Sequence, residues 1–487
     1  MKNCVKKLVC FVLIFASALL SGCAGDNKIQ SSLISVGDIL SSDFTFGDEQ
    51  NLSSDLLQSE SVISNISSSV SSKTKSSSVK GGSSVLNNPS SVVSQPSSSS
   101  EAKQPDVQSP TLEEEVIKPI GAGFKAIWIS YYEFQFWGSN EKQAKEKTVA
   151  MMEKIVKQGY NAVFCHVRAN ADAFYPSKIF PFAKQLTGAA GKDPGYDPLK
   201  IMIWAAKKYG LEFHAWINPY RVSGATTNPN ELAAGHFAAT WLSDGSNRAV
   251  VQGKGIYFNP ASLDVQKVVL DGVREILDNY EVDGIHFDDY FYPKDVTTDF
   301  DSKEYNEYLQ SSKNPLSLDD WRRANVNALV SSVHRLCASK NTLFGISPAG
   351  NISKDNSHDN YKYLYADTAL WMKEEGYVDY ILPQLYFGYN HPTEKARYKY
   401  LLDMWAELPK HKNLKFYVGF AAYKMNEACL DEAEWHNETD LLARQATDAL
   451  QSGADGIAVF SYTASTLDNP HNILQIKNMF EAIDKLS

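Results

Sequence analysis

From about Gly121 onward, apolar runs of strand length alternate with longer stretches in which apolar residues recur at helical spacing. The runs are FKAIWIS (124–130), YNAVFCHVRAN (160–170), EFHAWINP (212–219), VDGIHFDDYFYP (282–293), TLFGISPAGN (342–351), YVDYILPQLYF (377–387), KFYVGFAAYK (415–424) and DGIAVFSY (455–462). Their β-branched and aromatic residues favour a pleated surface. Between them, LDVQKVVLDGVREILDNY (263–280) places Val265, Val268, Val269, Val273, Ile276 and Leu277 on one helical face. WRRANVNALVSSVHRLC (321–337) is a second such helix, with Asp319 or Asp320 as its expected N-cap. Eight strand–helix alternations predict an α/β fold, a (β/α)8 TIM barrel with enlarged βα loops, over residues 118–487. No glycine-rich phosphate fingerprint follows the first run, which argues against a doubly wound dinucleotide-binding sheet.

The first quarter of the chain has a different texture. Lys2, Lys6 and Lys7 precede a short apolar run from Leu8 to Leu20, the pattern of a secretory signal. The run ends in Leu20-Ser21-Gly22-Cys23, which resembles the bacterial lipobox. Residues 1–22 are therefore expected to be a lipoprotein signal peptide, with Cys23 lipidated and anchoring an extracytoplasmic protein to a membrane of the cell envelope. Residues 23–117 are dominated by Ser and lack the apolar content needed to offset chain entropy, so a disordered tether is expected there. As a coil its reach would be roughly 50 Å.

A formal net charge of −10 argues against nucleic acid as a partner. Of the six cysteines, Cys4 and Cys10 fall in the signal, leaving Cys165, Cys337 and Cys429 besides Cys23. No CxxC or metal-ligand spacing appears, so neither a metal nor another cofactor is expected.

In a barrel of this kind the chemistry lies at the C-terminal ends of the strands. The second run carries His166, Arg168, Asn170 and then Asp172; the third His214, Trp216 and Asn218; the fourth His286, Asp288 and Asp289; the sixth Gln384 and Tyr386. Period-two alternation puts His166 with Arg168, and His286 with Asp288, on inward faces. Repeated polar groups at this level are costly unless they serve one another or a ligand. Asp288 is expected in the mouth, kept ionised by Arg168, as a nucleophile or stabiliser of an oxocarbenium-like transition state. Asp289 is expected to point away or sit on the turn. The required second carboxyl group has three candidates: Asp172, Glu133 and Asp289. Trp216, Tyr290 and Tyr292 offer ring faces for sugars.

HVRANADAFYPS (166–177), LTGAAGKDPGYDPL (186–199), GLEFHAWINPYRV (210–222), IYFNPASLDVQ (256–266), VDGIHFDDYFYP, WRRANVN (321–327), FGISPAGN (344–351) and DYILPQLYFG (379–388) together resemble glycosyl-hydrolase-like family 10. These are bacterial (β/α)8 proteins, formerly classed as a domain of unknown function. The resemblance covers about 124–462 and implies an extracytoplasmic, often lipid-anchored glycosidase acting on glucan-like or amino-sugar chains, including peptide-free peptidoglycan. DGIHFDD is also similar to the fourth-strand motif of amylase-type barrels, which would place the nucleophile on Asp288. The acid Glu of those enzymes is absent from FGISPAGN. That absence keeps open a non-catalytic carbohydrate-binding lipoprotein. A metal-dependent hydrolase or deacetylase using His166, His214 and His286 is the remaining alternative, without an HExxH motif to support it.

Overall fold

The computed structural model describes residues 123–134, 140–352, 359–426 and 432–486. The expected signal, Cys23, the tether and Cys429 lie outside the described residues. Eleven strands occur among them: β1 (Phe124–Ile129), β2 (Ala162–Arg168), β3 (Glu212–Ile217), β4 (Arg221–Ser223), β5 (Ala249–Gln252), β6 (Gly255–Phe258), β7 (Gly284–Phe287), β8 (Leu343–Ile346), β9 (Tyr380–Ile381), β10 (Lys415–Ala421) and β11 (Gly456–Phe460). Eight of them close a parallel barrel in the order β1-β2-β3-β7-β8-β9-β10-β11. The other three, β4, β6 and β5, form a small antiparallel sheet in the enlarged loop after β3. All eight apolar runs became barrel strands.

Eight principal helices follow the barrel strands: α1 (Glu141–Gln158), α2 (Pro198–Lys208), α3 (Leu263–Asn279), α4 (Leu318–Ala338), α5 (Thr368–Lys373), α6 (Tyr398–Glu407), α7 (Leu441–Gln451) and α8 (Pro470–Leu486). Val265, Val269, Val273 and Ile276 are the buried stripe of α3, as the periodicity requires. The N-cap of α4 differs from expectation. Ser317, not Asp319 or Asp320, caps it by accepting from Asp320 N, and the two acids occupy the first turn, where the helix dipole favours them.

At the N-terminal end of the barrel one contact recurs four times. Asn161, Asp283, Asp379 and Asp455 each immediately precede a strand (β2, β7, β9, β11). Their side-chain oxygens accept from Lys125, Phe213, Phe344 and Phe416 N at 2.8, 2.7, 2.7 and 2.9 Å. Each also donates its own N–H to the carbonyl of that same residue. The two-bond clamps join β1 to β2, β3 to β7, β8 to β9 and β10 to β11, so the barrel is assembled from four clamped pairs.

Above the clamps the interior is aromatic. Phe124, Trp128, Phe164, Trp216 and Tyr380 form an inner cluster, and glycines make room for it. A Cβ at Gly284 would overlap His214, and one at Gly345 would overlap Tyr380. The Tyr380 hydroxyl lies 3.0 Å from His214 Nδ1 and 3.1 Å from His286 Nδ1. Trp128 Nε1 donates to His286 Nε2 at 3.3 Å, which fixes the His286 proton on Nδ1. His286 therefore donates to Tyr380, and Tyr380 donates to His214.

Candidate active site

The C-terminal ends of the strands place the carboxylates. Asp288, one residue beyond β7, is buried, and both of its oxygens accept hydrogen bonds. Trp216 Nε1 donates to Oδ2 at 2.9 Å and Tyr290 N donates to Oδ1 at 3.1 Å. Burial, then the charge of Asp289, pushes the Asp288 carboxyl up to about 7. Asp288 thus lies just past the end of β7, raised by burial where Arg168 was expected to hold it ionised.

The reason lies at Arg168. Its register with β3 shifts between His166 and Arg168, where an irregularity breaks the alternation. His166 pairs with Trp216, and Arg168 is set level with Ile217. Its guanidinium lies 4.7 Å from the Phe180 ring and close to Gly272 of α3, on the helix side of the strand. It is 2% exposed, and Nη2 donates to the carbonyls of Asn218 and Pro219, each at 3.3 Å. Arg168 thus braces the turn after β3 instead of facing a substrate.

Asp289 does not point away. It is half-buried, its side chain is hydrogen-bonded to Gln384, and burial raises its carboxyl. Gln384 also donates from Nε2 to the Ser347 carbonyl at 2.8 Å, which ties the Asp289 partner to the end of β8. Tyr386 stands beside them, its ring 6.0 Å from that of Tyr423 and 5.9 Å from that of Phe460.

Across the mouth, His166 is buried and stacks on Trp216 with ring centroids 3.2 Å apart. Its Nδ1 accepts from Tyr131 N at 3.2 Å, so the proton resides on Nε2. Burial, then the charges of Arg221 and His286, holds this ring neutral. Asn218 Oδ1 accepts from Arg221 N at 3.1 Å. Asp172 is half-buried; its Oδ1 accepts from Asn170 N at 3.1 Å, and burial raises its carboxyl against the charges of Arg221 and Arg168.

Several expected residues do other work. Glu133 accepts from Ser130 N, Thr463 N and Ser461 Oγ, sealing the seam between β1 and β11. His214 and His286 are buried in the layer below the mouth, spanned by Tyr380. Tyr292 is buried with its hydroxyl on Asp301, so it offers no face to a sugar, whereas Tyr290 is 46% exposed. Among the described residues no three His, Cys, Asp or Glu side chains converge as metal ligands.

Arg221, at the start of β4, was not anticipated. Nε and Nη2 donate to the Ala169 carbonyl at 3.1 and 2.8 Å, and the guanidinium lies 4.4 Å from the Tyr290 ring. Its charge acts on Asp288, Asp289 and Asp172 alike. It is the penultimate residue of the motif GLEFHAWINPYRV, but it stands outside the strand to which the alternation argument applied.

A closed parallel barrel with adjacent carboxyls, an arginine and aromatic rings at its C-terminal mouth defines a (β/α)8 protein with a polar ligand site. The chain belongs to the glycosyl hydrolase-like 10 family, whose profile matches residues 123–437. It is 37% identical over 324 residues to glycosyl hydrolase YngK of Bacillus subtilis (strain 168), covering 62% of this chain and 61% of that relative. It is 34% identical over 316 residues to glycosyl hydrolase DigH of Escherichia coli (strain K12), covering 60% of this chain and 70% of that one. Among solved structures, the PgaB (BpsB) glycoside hydrolase domain from Bordetella bronchiseptica aligns at 11% identity and a TM-score of 0.46, over 74% of this chain and 99% of that one.

Proposed function

We propose that the protein is a glycoside hydrolase that cleaves cell-wall polysaccharide, peptide-free peptidoglycan strands above all, from a lipid anchor at Cys23. Family membership supports the hydrolase reading. The observation that carries it is the adjacent pair Asp288–Asp289 at the barrel mouth, both raised by burial, with Asp288 near 7. Such a pair titrates as a unit and retains one proton near neutrality. Two N–H donors converge on Asp288, so the negative charge is best held there, as nucleophile or charge stabiliser. The proton is then available on Asp289, positioned by Gln384. Asp172 is the second candidate donor, because burial raises it too. Tyr290 and Tyr386 supply ring faces, and the Ser-rich tether and the envelope location belong to the same proposal on sequence grounds.

The test is incubation of the purified protein with peptide-free and intact cell-wall glycans, with products identified by mass. Cleavage that is lost in Asp288→Asn supports the reading. Tight glycan binding without any product would instead favour a binding lipoprotein. Comparing pH profiles of Asp289→Asn and Asp172→Asn identifies the donor, since only its loss removes the alkaline limb.

A further inference from the structure

The outward face of α2 is built from lysines and one aromatic ring. Its apolar residues are buried from Leu199 to Ala206, apart from Trp204, which leaves Lys200, Trp204 and Lys207 exposed at helical spacing. Trp204 is 46% exposed, the one exposed tryptophan among the described residues, and Lys208 Nζ lies 6.0 Å from its ring. No acidic residue occurs in α2. The neighbouring α1 packs against it and adds Lys154 and Lys157 near its C-terminal end, both exposed. Glu153 pairs with Lys157 and Glu281 with Lys207, whereas Lys154 and Lys200 have no ion-pair partner among the described residues. The face is therefore positive in a chain whose formal net charge is −10.

This face also reaches the end of the barrel where the chain enters it. The Gly123 carbonyl accepts from Nδ2 of Asn161, just past the end of α1, at 2.7 Å. Asn161 O in turn accepts from Glu212 N, just past the end of α2, at 2.9 Å. The mouth lies at the opposite strand ends. An indole, apolar on its faces and with one N–H to donate, suits the boundary between lipid headgroup and acyl chain. Lysines are point charges for phosphate, and an anionic lipid surface attracts each of them. Such a contact is weak alone, but a tether fixed in the same bilayer makes it intramolecular. We propose that the α1–α2 face docks on an anionic lipid bilayer through Trp204, Lys154, Lys200, Lys207 and Lys208, which leaves the mouth directed away from the bilayer. The proposal rests on the reading of Cys23 as a lipid anchor.

The experiment uses the full lipid-modified protein, reconstituted into vesicles of phosphatidylglycerol and phosphatidylcholine whose acyl chains carry bromine, a short-range quencher of tryptophan. Trp204→Phe supplies the background from the other tryptophans, so the difference isolates Trp204. That emission should be largely lost in the anionic vesicles. It should return in pure phosphatidylcholine, and at about 1 M salt, where the screening length is about 3 Å. Lys154→Glu combined with Lys200→Glu should also restore it, while flotation shows the protein still on the vesicles. Thermal melts confirm that each variant is folded. Unquenched Trp204 on protein that floats with the vesicles overturns the docking and leaves the anchor. Quenching that persists in neutral vesicles or in high salt overturns a contact made by charge. Protein that does not float removes the anchor and the docking together. Shielding of Trp204 from acrylamide by soluble polyglycerol phosphate, but not by vesicles, would assign the face to an anionic wall polymer and overturn the bilayer.

Discussion

Trp216 Nε1 points at Asp288 Oδ2 across 2.9 Å, while the other side of the mouth holds the Trp216 ring against His166. Adjacent strands β3 and β7 set this pair through the register Trp216↔His286, which leaves the indole level with the residue two beyond His286. The indole donor stabilises charge on Asp288 and needs no reorganisation as charge develops.

Trp216→Phe keeps a ring against His166 and removes the donor. kcat should fall about tenfold to a hundredfold with little change in KM. Because the lost bond lowered the Asp288 pKa, the acid limb should move to higher pH. A pH–rate profile reads both effects, and an unmoved limb would detach Trp216 from the ionisation.

Asp288 also leaves a signature in stability. Its folded pKa, about 7, lies above its ordinary value of 3.8. Between those values the native Asp288–Asp289 pair keeps a proton that the unfolded chain releases, so stability declines as pH rises from about 4 to 7 and is flat above. Asp288→Asn flattens that slope. The variant should gain about 1–3 kcal/mol at pH 7 relative to pH 4, less than the full shift because Asp289 stays raised by burial and keeps part of the slope. Melting temperatures across this range test it; parallel curves for the two proteins would contradict the buried carboxyl.

The barrel was legible in the sequence because its strands are covered on both faces and read as continuous apolar runs with polar tips. Asp288 was legible from alternation, and Trp216 and Gln384 from their place at the strand tips. Arg168 was misread because one irregularity after His166 reverses the faces, and the composition of HVRAN does not reveal it. Arg221 was missed because its place depends on the Ala169 carbonyl, a tertiary partner 52 residues away in the chain. The four clamps do have a signal, an Asn or Asp directly before alternate barrel strands, but it emerges only when the strands are counted in pairs.

Those clamps should be independent of the mouth. Asp283→Ala and Asp455→Ala each leave one strand amide without its side-chain acceptor and should cost about 1 kcal/mol. They lie on separate strand pairs, so the double variant should cost about the sum. Chemical denaturation measures this, with kcat unchanged in every variant. A strongly non-additive double variant would mean that the pairs do not act as separate units.

Arg322 of α4 reaches the loop that follows the Asp288–Asp289 pair. Its Nε and Nη2 bind Asp301, Nη2 also takes the Thr297 carbonyl, and Nη1 donates to the Tyr365 hydroxyl. Asp301 in turn accepts from the Tyr292 hydroxyl at 2.9 Å, only three residues beyond Asp289. Lys offers a point charge in place of this fork, so Arg322→Lys strands a fully buried carboxylate and should cost about 3 kcal/mol. If the loop positions Asp289, kcat should fall with it. Tyr292→Phe loosens the same junction from the other side, so the two substitutions together should cost less than their sum in both stability and kcat. Additive losses would show that Arg322 and Tyr292 hold the protein together without sharing the task of aiming the site.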